Sequence, residues 1–115
     1  MALRVGCGVQ DITPSGSVAL MGHPYLNRRS SGVHDPLQVS AVHLRCDSGG
    51  VLLVTLDLFG LDTTTAKQLR QQIAKSTAVP EERVFISCTH THSGPLTHEL
   101  LCWSDDADAG KPDSG

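Results

Sequence analysis

Residues 51–88 read "VLLVTLDLFGLDTTTAKQLRQQIAKSTAVPEERVFISC". Two apolar runs flank a polar stretch with helical spacing. Residues 51–59 are nearly continuous in Val, Leu and Phe, which predicts a strand covered on both faces. Over residues 62–77, Ala66, Leu69 and Ile73 fall at i, i+3 and i+7, the spacing of one helix face. Asp62 or a following threonine can cap that helix, and Thr65 with Gln68 has capping-box spacing. "AVPEE" then leads into a strand at 83–88. Strand, helix and strand together predict a βαβ unit with a parallel, right-handed crossover.

Upstream, "LRVGCGV" (3–9) reads as a first strand, and "QDITPSGS" turns the chain at Pro14 and Gly16. Residues 21–36 are rich in turn formers and predict a long loop, a kind of segment that often carries function. "LQVSAVHLRC" (37–46) alternates in polarity, and "DSGG" separates it from the run at 51, so the two predict a β-hairpin. Downstream, "GPLTHELLCW" (94–103) predicts a short helix with Pro95 at its first position. The expected fold is α/β: a mixed sheet with a hairpin and a βαβ crossover over 1–103, then an acidic, disordered tail at 104–115.

Composition narrows the function. A chain of 115 residues fits one domain, and aromatics make up only 3% of it, so its core must be aliphatic. The net charge of −3 comes entirely from the C-terminal end, since residues 96–115 hold only Lys111 against Glu99, Asp105, Asp106, Asp108 and Asp113. With no basic stripe, nucleic acid is not an expected partner. Cys7, Cys46, Cys88 and Cys102 form no C-x-x-C pair, and the pattern predicts buried reduced thiols rather than a zinc ribbon. No signal peptide is visible and Asp57 interrupts the best apolar run, so no transmembrane segment and a cytoplasmic location are expected.

In parallel α/β sheets, ligands bind beyond the carboxyl ends of the strands. The strand at 51–59 brings Asp57 near that end, and the strand at 83–88 runs into His90 and His92. One acid and two imidazoles are therefore expected on the same rim. In an extended segment residues i and i+2 face the same way, roughly 6.5–7 Å apart. Two such imidazoles can share a metal ion. Cys88 has the same phase but lies about 13 Å from His92 in an extended chain, so it is assigned to the core. A catalytic zinc takes about three protein ligands, and further candidates are Asp57, His34, Asp35 and His23. For Asp57, a role behind a metal-bound imidazole and a role as acceptor for loop amides are equally expected. The turn at Ser93 and Gly94, followed by a helix from Pro95, could hold an anion or a developing oxyanion. His43 is expected to be structural and His98 solvated. Arg28 and Arg29 could hold a carboxylate or phosphate, although a solvated loop pair is the plainer reading.

The blocks "VGCGVQDITP", the "MG" loop, "GVHDPLQVSAVHL", "VLLVTLDL" and "VFISCTHTHSGP" occur in the order seen in the neutral/alkaline non-lysosomal ceramidase family. The resemblance runs from about Val5 to Trp103, and "THTHSGP" is its most specific part. It implies the N-terminal piece of a larger α/β catalytic domain. It also implies a Zn2+-dependent amidase that cleaves the N-acyl bond of ceramide, or of a related amide, in sphingolipid metabolism. His90 then maps to a zinc ligand and His92 to a catalytic group beside the reacting amide. The family's other ligands (a histidine, a glutamate and a tyrosine) and its serine lie downstream, and nothing after Trp103 resembles them. The chain is thus expected to be incomplete and inactive alone, lacking the C-terminal part of the catalytic domain. The alternative is a non-catalytic α/β domain with an incomplete metal site.

Overall fold

The computed structural model describes residues 2–23, 26–98 and 113. Strands β1 (Arg4–Asp11), β2 (Gln38–Cys46), β3 (Gly49–Leu56) and β4 (Val84–Cys88) form one sheet in that order. Helix α1 (Thr63–Thr77) and a 3-10 turn at Glu81–Arg83 join β3 to β4. Both β1–β2 and β2–β3 are antiparallel, whereas β3–β4 is parallel. The sheet is therefore mixed and contains the expected hairpin and βαβ unit. Cys46 pairs with Gly49, which leaves Asp47 and Ser48 as a two-residue loop. Gly49 sits at φ 129, a backbone region open to glycine and costly for other residues.

Helix α1 begins where its cap dictates. The Asp62 carboxylate accepts the Thr65 backbone N–H at 2.8 Å, and the Thr65 hydroxyl donates to its second oxygen at 2.8 Å. The cap is therefore Asp62 with Thr65, not Thr65 with Gln68. The helix stops at Ala78, whose φ of 55 is left-handed. Ile73 packs on a core of Leu52, Val54, Val79 and Val84, with Val39, Ala41 and Ile86 around it. Its strand residues, Val39, Ala41, Leu52, Val54, Val84 and Ile86, share one sheet face, as alternation along each strand requires.

The other face is open among the described residues. Leu53 is 42% exposed, Phe85 54%, Val5 57% and Val9 63%. The expectation that the third strand is covered on both sides is thus corrected: its apolar run fits two covered faces, and α1 covers one. That strand also stops at Leu56 rather than residue 59. The Asp57 carboxylate accepts the Gln38 backbone N–H at 2.9 Å and the Asp57 N–H donates to the Gln38 carbonyl at 2.9 Å, so the chain bends away at the acid.

Two further expectations change. Cys7 is exposed, and Cys46 and Cys88 are half-buried, so none of the three described thiols is a core residue. Cys7 lies on the open sheet face, which explains its exposure. Residues 95–98 are not helical: Pro95 forms an antiparallel bridge with Leu20, and the Leu96 N–H donates to the Ala19 carbonyl at 2.8 Å. The rest of the expected helix, the tail apart from Asp113, and Cys102 lie outside the described residues. This pairing builds a second small core of Met21 and Leu96, joined by Ala19 and Phe59. No helix among the described residues is long and apolar enough to cross a membrane.

Candidate active site

Beyond β4 the chain stays tied to the segment after β3. The Thr89 N–H donates to the Leu56 carbonyl at 2.9 Å and the His90 N–H to the Leu58 carbonyl at 3.0 Å. His90 then takes φ 62, a left-handed conformation that costs a non-glycine residue free energy and clusters at functional positions. Its ring lies 4.1 Å from the Phe59 ring, and its Nδ1 lies 3.0 Å from the Phe59 carbonyl oxygen. A carbonyl only accepts, so Nδ1 carries the hydrogen, and in the neutral form of the ring the lone pair is on Nε2. A metal-bound histidine is commonly oriented in this way.

The His92 ring stands 5.1 Å from that of His90, edge to face, 5.2 Å from Phe59 and 5.7 Å from His23. The two imidazoles therefore do meet, but not along a flat strand. The strand ends at Cys88, and the left-handed turn at His90 brings the rings together. Cys88 pairs with Leu56 on the helix side of the sheet, and burial pushes its thiol pKa up.

A distant loop fixes this arrangement. The Met21 N–H donates to the Gly94 carbonyl at 3.0 Å. One Arg28 nitrogen, Nη2, donates to the His92 carbonyl at 2.8 Å and to that of Met21 at 3.4 Å. Arg28 is thus engaged with main-chain carbonyls, while Arg29 bonds the Ser17 carbonyl at 2.8 Å and pairs with Asp113 at 3.0 Å. Phe59 reads in the sequence as one more apolar strand residue, and Arg28 as half of a loop pair. The contacts of both depend on segments distant in the chain, so no local signal marks them.

The remaining candidates lie elsewhere. Asp57, His34, Asp35, Thr91 and Ser93 line a groove of about 780 Å³ with Thr13 and Arg28, whereas neither His90 nor His92 lines it. The expected rim of acid and imidazoles is thus divided. Asp57 serves as an amide acceptor for Gln38. His34 and Asp35 pair with each other at 2.7 Å and are almost fully exposed. The Ser93 N–H donates to the Thr91 hydroxyl at 3.2 Å, and the Gly94 carbonyl is taken by Met21. His98 bonds the Thr97 hydroxyl at 3.1 Å and sits on no helix. His90 Nε2 offers at most one nitrogen toward the Zn2+ that the sequence resemblance implies. Among the described residues no three His, Cys, Asp or Glu side chains gather around one point, so they do not complete a zinc site.

No family model matches the chain, and no curated protein does. Solved structures do. The chain is similar to the neutral ceramidase from Pseudomonas aeruginosa, with a TM-score of 0.72 and 29% identity over 87% of this chain and 17% of that one. It is equally similar to a ceramidase complexed with C2, with a TM-score of 0.73 and 26% identity over the same shares. The matching region is the N-terminal part of the ceramidase. The chain therefore shares its mixed α/β fold with the N-terminal part of ceramidase, and spans 17% of the length of the proteins it matches.

Proposed function

We propose that this chain supplies part of the active site of a zinc-dependent amide hydrolase of neutral ceramidase type. Its substrate would be the N-acyl amide of ceramide or a related lipid amide. The observation that carries this reading is His90, whose strained backbone and Phe59-bound Nδ1 present Nε2 beside a second imidazole. In this reading His90 Nε2 is one zinc ligand, and other ligands come from the portion of a ceramidase-type chain beyond the matched region. Zinc, when bound, supplies Lewis acidity toward the amide. The His92 ring can donate a hydrogen bond to the oxygen on which charge develops, or carry a proton to the leaving amine.

Replacing the matching portion of the Pseudomonas ceramidase with this chain tests the proposal. The hybrid is expected to hold zinc and release fatty acid from ceramide. His90→Ala should lose the metal. His92→Ala should keep it and lower kcat by about 10²–10³. Equal zinc content and rate with and without His90 would sink the reading.

The second reading is a non-catalytic α/β domain with an incomplete metal site, favoured because no three His, Cys, Asp or Glu side chains gather around one point among the described residues. Zinc-dependent ceramide turnover by residues 1–115 alone would reject it.

A further inference from the structure

We infer that Gly22 is the positioning residue for His92, and that its lack of a side chain sets where the imidazole stands. Gly22 is buried and sits at φ 117. A Cβ built there would lie 2.6 Å from His92 Cα, 2.7 Å from its Cβ and 2.7 Å from its Cγ. Real carbon atoms do not approach so closely, so any residue with a side chain at 22 displaces His92 or the loop.

The loop itself has little freedom to yield. The Leu20–Pro95 bridge fixes it on one side. Met21 is fully buried against Leu96. Arg28 joins the carbonyls of Met21, the neighbour of Gly22, and of His92 itself. The displacement therefore falls on His92, whose ring faces His23 and Phe59. The consequence for catalysis rests on the reading of His92 as the group beside the reacting amide, but the position of the ring does not.

The test compares the full chain with Gly22→Ala and Gly16→Ala, using histidine- and phenylalanine-labelled protein in solution NMR. Gly16 also has a positive φ, 77, and a Cβ there meets nothing within 4 Å, so it shows the effect of a positive φ without collision, at an angle milder than the 117 of Gly22. In Gly22→Ala the nuclear Overhauser contacts from the His92 ring to His23 and Phe59 should vanish while the amide signals of β1–β4 persist. In Gly16→Ala the ring contacts should remain. Intact His92 contacts in a folded Gly22→Ala chain overturn the inference, as does their loss in Gly16→Ala. If Gly22→Ala does not fold, His92→Gly is added, which removes two of the three colliding atoms. Folding of the double variant, or its refolding at a lower trimethylamine N-oxide concentration than Gly22→Ala needs, supports the inference, and no difference between the two variants overturns it. None of these readouts uses activity, so failure here is distinct from failure of the proposed reaction.

Discussion

The Nδ1–H of His90 donates to the backbone carbonyl of Phe59 at 3.0 Å, and the two rings lie 4.1 Å apart. This contact selects one tautomer of the imidazole. In long-range nitrogen–proton spectra of the metal-free chain, His90 is expected to carry its hydrogen on Nδ1. A ring protonated on Nε2 instead would contradict the assignment and remove the lone pair offered to a metal.

Leu52 and Leu53 are neighbours in sequence and opposites in environment. Leu52 is 7% exposed in the core under α1, while Leu53 is 42% exposed on the open face. Leu52→Ala should cost about 2–5 kcal/mol of unfolding free energy. Leu53→Ala should cost less than about 1 kcal/mol, because little area is withdrawn from water there. Urea denaturation compares the two, and equal losses would mean that the second face is covered in solution.

The Asp62 cap predicts a pH dependence. Its carboxyl pKa is held below the ordinary value, first by the Thr65 backbone N–H and then by the Thr65 hydroxyl. A depressed folded pKa stabilises the fold above the unfolded value, and that contribution is lost as pH falls through the folded one. Between pH 7 and about 5 the cap should be constant, and below about pH 4 it should weaken. Asp62→Ala should lower the urea midpoint at pH 7 and lessen the acid dependence. Asp62→Asn, which can still cap, should retain more of the midpoint.

Asp57 tests structure against metal support. Asp57→Ala removes the acceptor of the Gln38 N–H and should cost about 0.5–1.5 kcal/mol, with Asp57→Asn milder. In the ceramidase hybrid, zinc content should be unchanged by either variant. Loss of zinc on Asp57→Asn would restore the alternative role behind the histidine.

The thiols should react in an order set by their surroundings. The Ser48 hydroxyl pulls the Cys46 pKa down, and burial pushes that of Cys88 up. Because the thiolate is the nucleophile, iodoacetamide at neutral pH should label Cys46 and exposed Cys7 several-fold faster than Cys88. Peptide mass spectrometry reads the order, and Cys88 reacting first would refute it.

Much of the fold was legible because its signals are local. The spacing of Ala66, Leu69 and Ile73 sets the helix, the "DSGG" cluster sets the hairpin, and the apolar runs on either side of α1 set the parallel pair. The bend at Asp57 and the bridge at Pro95 were not legible, because each depends on a backbone partner elsewhere, Gln38 in one case and Leu20 in the other. A helix signal at residues 94–98 gives way to those pairings, since local propensity is weaker than tertiary contact.

The sequence by itself determined that His90 and His92 leave the end of a strand in a mixed α/β sheet, since periodicity and residue order suffice for that. Only the tertiary structure decided which nitrogen of His90 faces outward, that Asp57 and Ser93 line a groove the imidazoles do not reach, and that Gly22 stands against His92. The physical reason is distance along the chain. Ring orientation and close approach depend on partners tens of residues away, and no local pattern encodes a contact between Gly22 and His92.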